Sequence, residues 1–324
     1  MSSKPPSSKK SNSGFLIAFL SAVVLSFTGI LIRKVSQDYA LPALILASWR
    51  DIFVVICALP FYVIIKPQLL KIKRSDLPFL IGFGFVLAFF NILWTLAVTL
   101  TGASIATVLV YSSAGFTALL GYFLLGESLG WVKLSAVILS LAGCVLVSGA
   151  TNPQAWQNNT LGIITGLFSG LLYAIYSLMG RHASRKNLNP WTTLIYTFFF
   201  AAVILLLLNL LPINFLPASA KSFDEMFLLG KQWRGWLLLV LLAAGPTLIG
   251  FGLYNVSLGL LPSSTANLIL TSEPVMTGIA AFFLLGERLT QLELIGSALI
   301  LAALLLLRLR KPKKIEDQSL PPTI

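Results

Sequence analysis

The sequence predicts an all-α integral membrane protein. Hydrophobic residues make up 57% of its 324 residues, charged residues make up only 10%, and the mean hydropathy is +0.89. A soluble protein carries about 25% charged residues, so a chain with so few cannot cover a surface that faces water. The same composition excludes a disordered chain, and the two cysteines are too few for a disulfide scaffold.

Ten apolar runs along the chain come close to the length of about 20 residues that crosses a bilayer as a helix. They do not alternate in polarity as barrel strands do, and only helices or closed barrels satisfy their backbone groups in lipid. We therefore predict ten transmembrane helices. They are 14–32, 41–65, 77–97, 103–125, 129–148, 161–179, 191–211, 236–257, 264–285 and 292–307.

The distribution of basic residues predicts the orientation of these spans. Sixteen of the 23 Lys and Arg residues lie on the side that holds both chain ends, and six lie on the other side. Cytoplasmic loops retain basic residues, so both termini are predicted to be cytoplasmic. The net charge of +12 lies in loops and tails. We attribute it to membrane topology and expect no nucleic-acid partner.

An internal repeat divides the chain into two halves. The segment Phe-Leu-Leu-Gly-Glu occurs at 123–127 and again at 283–287, an offset of 160 residues. The predicted halves are 14–149 and 161–308, flanked by a disordered tail at 1–13 and a basic tail at 309–324. Five helices per half is an odd number, so the second half enters the membrane upside down. Inverted five-helix repeats are typical of secondary transporters.

The ten spans, the duplicated Phe-Leu-Leu-Gly-Glu segment and the run Thr271-Ser272-Glu273-Pro274-Val275 resemble the EamA-type transporters of the drug/metabolite transporter superfamily. The resemblance covers about 15–307. It implies a secondary transporter in a plasma membrane, most simply a bacterial inner membrane. Such a protein exports small organic metabolites, amino acid-like or drug-like, by alternating access.

The first half departs from that pattern, because it has Ser113 and Ala114 where the second half has Glu273 and Pro274. The two halves are therefore not expected to be equivalent.

Two other classes of protein fit the sequence less well than a transporter. A receptor or assembly subunit that binds without transporting is the alternative, but binding alone has no use for two opposed halves. An enzyme is not expected, since the sequence has no metal-ligand motif, phosphate-binding loop or nucleophile elbow, and no cofactor is predicted. Gly162, Gly166 and Gly170 can pack helices within a chain or between two copies, so a monomer and a homodimer both stay open.

Glu273 and Pro274 are the leading candidates for coupling or gating. A charge inside a span costs about 2.5–3.5 kcal/mol, so it needs a partner or a function. Glu273 could couple transport to protons or bind a substrate amine, or it could pair with a buried Arg or with freed backbone. Pro274 lacks an N–H group and frees the carbonyl of Leu270, which predicts a kink or break.

Other charged residues have less clear roles. Arg50 could bind a substrate carboxylate or hydrogen-bond helix ends, and Asp51 could lie at the water interface and hold Arg50 or Arg33 in place. Adjacent residues of a helix point about 100° apart, so these two are not expected simply to neutralise each other. Glu127 and Glu287 each follow a helix-ending Gly and are predicted to stabilise the amino end of the next helix.

Polar residues recur at helical spacing in the fourth and ninth spans, and aromatic residues recur in the third, sixth and eighth. Such a pattern marks a face turned towards a cavity or towards other helices. We predict a substrate cavity without any metal. Its candidate residues are Arg50, Asn91, Trp94, Ser104, Thr107, Tyr111, Tyr173, Tyr176, Tyr254, Asn267 and Thr271.

Overall fold

The computed structural model describes residues 8–101, 103–153, 160–210, 219–220, 222–285 and 290–309. Within these ranges the chain is helical, with short turns between helices. Glu287, most of the amino-terminal tail and the carboxyl-terminal tail lie outside the described residues. The helices are α1 Ser8–Leu25, α2 Phe27–Tyr39, α3 Ala43–Pro60, α4 Leu77–Thr101, α5 Ala103–Tyr111, α6 Ser113–Leu125, α7 Trp131–Val147, α8 Thr160–Arg185, α9 Pro190–Leu210, α10 Trp233–Leu242, α11 Phe251–Leu260, α12 Ser263–Leu270, α13 Glu273–Leu285 and α14 Gln291–Leu309.

Eight of the ten predicted spans are helices long and apolar enough to cross a membrane. Helices α1 and α2 together form the first span, and α10 and α11 form the eighth through a π-helical turn at Ala243–Gly250. The fifth predicted span is α7, a shorter apolar helix of 17 residues. The ninth is divided into α12 and α13. The all-helical membrane architecture is therefore confirmed.

The break in the ninth span does not depend on proline alone. Pro274 is the second residue of α13, where a missing N–H group costs little. The fourth span has no proline, yet it breaks at Ser112, the residue equivalent to Ser272. At both breaks a serine hydroxyl donates a hydrogen bond to a carbonyl three residues earlier, to Leu109 at 2.6 Å and to Ile269 at 2.7 Å. These bonds compete with the helical pattern.

A row of glycines on α8 packs within the chain. Gly162 faces the carboxyl end of α4, and Gly166 faces the side chain of Leu109. A methyl group added at Gly170 would lie 2.6 Å from the Ser112 hydroxyl and 2.8 Å from the Leu109 carbonyl oxygen. Small residues here let α8 approach the broken fourth span closely.

The helix pairs that join the two halves define the core. Helix α1 packs against α11, α4 against α8, α3 against α9, α6 against α12, and α7 against α14. The largest hydrophobic cluster lies between these pairs and contains Tyr111, Tyr173, Tyr176 and Tyr254. Aromatic side chains with a polar tip are therefore concentrated at the centre of the bundle.

Replacing Gly170 with Ala should destabilise the protein, because its methyl group would meet the Ser112 hydroxyl and backbone oxygen at the break. Overpacking of this kind costs about 1–3 kcal/mol. The measurement is the thermal melting temperature in detergent. Gly82→Ala is the matched control, since nothing lies within 4 Å of a methyl group there. If Gly170→Ala and Gly82→Ala have the same melting temperature, the close packing of Gly170 against the break is wrong.

Candidate functional site

Arg50, Asp51 and Asn91 form a closed polar triad between α3 and α4. The Arg50 Nε donates to Asp51 Oδ1 at 3.1 Å, and Arg50 Nη2 donates to Asn91 Oδ1 at 2.8 Å. The Asn91 amide then donates to Asp51 Oδ2 at 3.0 Å. Asp51 thus holds Arg50 in place, as one alternative predicted. The expectation that the two do not simply neutralise each other is wrong, because the long Arg50 side chain bends back to its neighbour.

Burial makes this triad a structural unit. Arg50 is 7% exposed and Asp51 is 0% exposed, so Asp51 does not lie at a water interface. Isolated charges at such depth are expensive, and here each is offset by the other and by an amide. The triad lies beside Tyr176, whose ring approaches Phe83 at 4.7 Å between centroids. In this structure the predicted binding residues Arg50 and Asn91 are therefore hydrogen-bonded to each other.

Three tyrosines from α8 and α11 form an aromatic column at the centre. The ring of Tyr173 lies 6.2 Å from that of Tyr176 and 6.0 Å from that of Tyr254, in nearly parallel planes. Phe90 of α4 stacks on Tyr173 at 5.2 Å. Offset stacking of this kind stabilises aromatic pairs beyond simple burial. Flat aromatic faces from both halves therefore meet at one place.

A polar cluster lies beside this column, and we call Ser113, Ser177, Tyr254 and Asn267 the central polar cluster. The Asn267 amide donates to Ser177 Oγ at 3.1 Å and to the Tyr254 hydroxyl at 3.4 Å, while its Oδ1 accepts from Ser113 at 3.1 Å. Ser177 and Tyr254 also share a hydrogen bond of 2.7 Å. Four helices supply these side chains, α6 of the first half and α8, α11 and α12 of the second half.

Sequence reasoning missed the two serines of this cluster. Ser177 lies four residues after Tyr173 on α8, so helical spacing alone could have found it. Ser113 occupies the position equivalent to Glu273 under the 160-residue offset. At this position the first half therefore has a hydrogen-bonding hydroxyl, and the second half has a carboxyl group.

Glu273 begins α13 and points into the interior near the aromatic column. The Tyr111 hydroxyl faces its carboxyl, and Tyr173 lies nearby. Glu273 is half-buried, whereas Thr271 and Ser272 are 0% exposed. The carboxyl group itself is buried and hydrogen-bonded to the Tyr111 hydroxyl.

The remaining predicted residues divide between this centre and helix packing. Trp94 is half-buried and packs against the central hydrophobic cluster, and Thr107 is half-buried on α5. The Thr271 hydroxyl bonds to Ser140 and to the Leu268 carbonyl, which attaches α12 to α7. Ser104 lies on α5, but its side chain lies outside the described part of the structure.

In the described ranges, no group of three or more His, Cys, Asp and Glu side chains could hold a metal ion. Carboxyl, phenol, amide and hydroxyl groups beside aromatic faces instead suit an organic molecule.

A second polar arrangement, which we call the Glu127 latch, joins the halves near one membrane surface. Glu127 Oε1 accepts from the Ser263 backbone N at 2.5 Å and from its hydroxyl at 2.7 Å. Its Oε2 accepts from the Ser264 N at 3.1 Å and from the Ser264 hydroxyl. Lys133 Nζ donates to Ser264 Oγ at 2.8 Å. Because a carboxylate at a helix amino end is favourable, the latch stabilises α12.

The latch corrects the role predicted for Glu127. Gly126 does end α6 in the left-handed conformation, with φ at 64°, as expected. The carboxylate, however, caps α12 of the other half and not α7, the next helix along the chain. Burial alone would raise the pKa of Glu127, but the bonds from Ser263 and Ser264 outweigh it and hold that pKa below its ordinary value.

Two arginines close the same end of the bundle. Arg181 Nη1 donates to the Leu258 carbonyl at 2.8 Å, and Arg185 Nη1 donates to the Leu125 carbonyl at 3.0 Å. Both carbonyls lie at the carboxyl ends of helices, where cations are favourable. Together with the latch, these contacts connect α6, α8, α11 and α12 at one surface.

Comparison with known proteins identifies the family. A model of the EamA-like transporter family matches residues 12–149 and 160–309, which is most of the chain. The chain belongs to the EamA-like transporter family. The resemblance seen in the sequence is thereby confirmed, and this EamA-like protein is a multi-pass membrane transporter with a small-molecule substrate.

Known proteins are similar to this EamA-like transporter over nearly its whole length. An "Uncharacterized transporter" of Archaeoglobus fulgidus is 29% identical over 291 residues, covering 89% of this chain and 93% of that protein. A "Probable amino-acid metabolite efflux pump" of Escherichia coli (strain K12) is 26% identical over 309 residues, covering 86% and 98%. A solved crystal structure has a TM-score of 0.74 at 18% identity and covers 91% and 96%, which shows the same fold.

Asp51→Asn should strongly destabilise the protein, because it leaves the Arg50 charge buried without its counter-ion. Breaking a buried ion pair in this way costs about 3–5 kcal/mol. Asp38→Asn is the matched control, since Asp38 pairs with Lys34 at 3.1 Å on an exposed helix face. Exposed pairs contribute about 0–1 kcal/mol. Equal melting temperatures of the two variants would contradict the structural role of the triad.

Glu127→Gln should lower the melting temperature, because charge-assisted bonds to α12 contribute about 1–3 kcal/mol. The folded-state pKa of Glu127 is depressed, so its contribution is fully present above the ordinary Glu pKa of 4.5 and is lost as the pH falls through the lower folded value. We therefore expect the stability difference between wild type and Glu127→Gln to shrink below pH 4.5. A difference that grows towards acid pH would rule out an ionised latch.

Proposed function

We propose that this EamA-like transporter exports small organic metabolites across a bacterial inner membrane by alternating access. Ten spans would form two inverted five-helix halves, 14–149 and 161–308, with both termini in the cytoplasm. One observation carries the proposal. Side chains of both halves build an aromatic and polar centre that is latched at one membrane surface, and the Glu273 carboxyl lies at this centre beside Tyr111.

The pairing of helices supports inverted halves. Exchanging the halves maps α1 onto α8 and α11 onto α4, so the pair α1 with α11 becomes the pair α8 with α4. The pairs α3 with α9 and α7 with α14 map onto themselves. Two halves related by a two-fold axis have this property, and five spans per half would place that axis in the membrane plane.

An asymmetry between equivalent helix ends supports a one-sided opening. Helix α6 packs against α12, where the Glu127 latch lies. Their repeat equivalents are α13 and α5, and in the described residues these two are not among the helices that pack closely. A transporter that is closed at one surface and open at the other would differ between its two equivalent gates in this way.

The closed surface is the one on which the chain ends lie. Basic residues are concentrated on that side, which favours a cytoplasmic location. The conformation would then be outward-facing, with the Glu127 latch as its cytoplasmic gate. Return to the inward-facing state would require Glu127 to leave the amino end of α12.

The side chains at the centre favour an amphipathic substrate. The faces of Tyr173 and Tyr254 can contact an apolar or aromatic portion, and Asn267 can exchange its internal hydrogen bonds for substrate bonds. The Glu273 carboxyl, which lies beside Tyr111 at the centre, can bind a protonated amine or a transported proton. The printed name of the Escherichia coli relative, an amino-acid metabolite efflux pump, agrees with a substrate that carries an amine.

A ligand screen by thermal stability tests this site. A ligand at 100 times its Kd raises the stability by about 2.7 kcal/mol, so amino acids, purines, nucleotide derivatives and cationic drugs can be compared directly. For a compound that raises the melting temperature, Tyr111→Phe and Trp94→Ala should reduce the increase. The control is Tyr122→Phe, which alters an exposed tyrosine on α6. Equal increases in all variants would place the ligand elsewhere.

Glu273→Gln separates coupling from simple binding. In proteoliposomes loaded with a compound from the screen, wild-type efflux should depend on the pH difference across the membrane. We expect Glu273→Gln to lose that dependence, whereas Asp224→Asn, on an exposed turn outside the centre, should keep it. An unchanged pH profile in Glu273→Gln would exclude proton coupling through this residue, and binding without flux in wild type would favour a receptor.

A further inference from the structure

A groove between the first and last helices is not used by the proposed transport mechanism. It has a volume of about 480 Å³ and lies between α1 and α14, on the outer face of the bundle. Ligand sites in proteins have volumes of about 300–1,000 Å³. The groove is therefore large enough to hold part of an organic molecule.

One face of α1 forms the first wall. Asn12, Phe15, Leu16 and Phe19 line the groove at helical spacing, and Leu16 is 58% exposed. Three of these side chains are apolar, and the polar Asn12 lies towards the beginning of the helix. The wall therefore becomes more polar towards the membrane surface.

One face of α14 forms the second wall, which also becomes more polar towards the membrane surface. Leu301 and Leu305 line its apolar length, Leu305 is 57% exposed, and Arg308 lies in the last turn. Arg308 lies opposite Asn12, because α1 starts and α14 ends at the same membrane surface. The groove thus has an apolar floor within the bilayer and a cationic end at the depth of lipid headgroups.

Arg308 is held at the groove without a carboxylate partner in the described ranges. Its guanidinium lies over the ring of Phe15, 5.7 Å from the centroid. The ion pairs found there are Lys34 with Asp38 and Arg50 with Asp51. The positive charge is therefore oriented by an aromatic face and remains available to an anion.

The surrounding sequence extends this positive charge. Arg310, Lys311, Lys313 and Lys314 follow Arg308 within six residues, and Lys9 and Lys10 precede Asn12. Clusters of four to eight basic residues next to a membrane span are typical of segments that bind anionic lipids. An apolar groove that ends at Arg308, in a chain with this basic sequence, matches one chemistry, a fatty acyl chain joined to a phosphate.

We propose that the groove between α1 and α14 binds an anionic phospholipid of the phosphatidylglycerol type. One acyl chain lies along Phe15, Leu16, Leu301 and Leu305, and the headgroup phosphate accepts hydrogen bonds from Arg308. A lipid bound there touches the first helix of one half and the last helix of the other. It therefore connects the two halves at the surface that also carries the Glu127 latch.

Lipid retention measured by native mass spectrometry tests the site without any transport assay. Purified protein is titrated with phosphatidylglycerol and with phosphatidylcholine that carry identical acyl chains. Both lipids carry a phosphate, but the choline ammonium of phosphatidylcholine offsets that charge and is repelled by Arg308, whereas phosphatidylglycerol keeps a net negative charge. We therefore expect phosphatidylglycerol to bind about tenfold more tightly, a difference of about 1.4 kcal/mol. Equal retention of the two lipids by the wild-type protein would overturn the proposal.

Two pairs of variants locate the lipid. Arg308→Gln should remove the preference for phosphatidylglycerol, whereas Arg74→Gln, an exposed arginine outside the groove, should keep it. Leu305→Trp fills the groove and should weaken phosphatidylglycerol binding, whereas Leu207→Trp on the exposed face of α9 should not. Melting temperatures verify that each variant is folded. If Arg308→Gln still prefers phosphatidylglycerol over phosphatidylcholine, the anionic lipid binds to the tails and the proposal is wrong. If Leu305→Trp binds phosphatidylglycerol as tightly as the wild type, the lipid does not occupy the groove.

Discussion

Hydrogen bonding of backbone carbonyls at the two broken helices determines the arrangement of the whole centre. In a bilayer no water satisfies the groups released at a helix break, so protein atoms must do so. The Ser112 and Ser272 hydroxyls bond to carbonyls within their own turns, and Gly170 lets α8 pack directly against the first break. These contacts permit four short helices to end inside the bundle. The polar side chains at those ends then meet between the halves, which an unbroken pair of helices would not allow.

Charge satisfaction determines which groups remain free to act. The Arg50 and Asp51 side chains and the Asn91 amide hydrogen-bond to one another, so the triad stabilises α3 against α4 without requiring a ligand. The Glu127 carboxylate is likewise committed to α12. Glu273 differs from both, because its carboxyl lies beside the aromatic column and faces the Tyr111 hydroxyl. Within the described residues, most interior charges thus serve structure, and one carboxyl lies at the centre.

The sequence predicted the features that depend on local patterns. Apolar length identified the helices, the 160-residue offset identified matching segments, and Pro274 indicated a break in the ninth span. The break at Ser112 was missed because serine occurs within many intact helices, and only the position of α8 shows why it matters here. The partner of Glu127 was also missed, since Ser263 lies 136 residues away and no local rule connects them. For Arg50 and Asp51, helix geometry gave the wrong expectation because side-chain torsions, not backbone directions, decide whether a long side chain reaches its neighbour.

The Glu127 latch also affects how the chain is assembled during synthesis. The carboxylate belongs to the first half, but every group that binds it directly in the latch belongs to Ser263 or Ser264 of the second half. When the first five spans have entered the membrane, the ribosome has not yet produced these two residues. The newly inserted first half therefore holds a carboxylate without its final partners until α12 arrives. Completion of the latch is thus a late step in biogenesis, and it reports that the two halves have come together in the correct orientation.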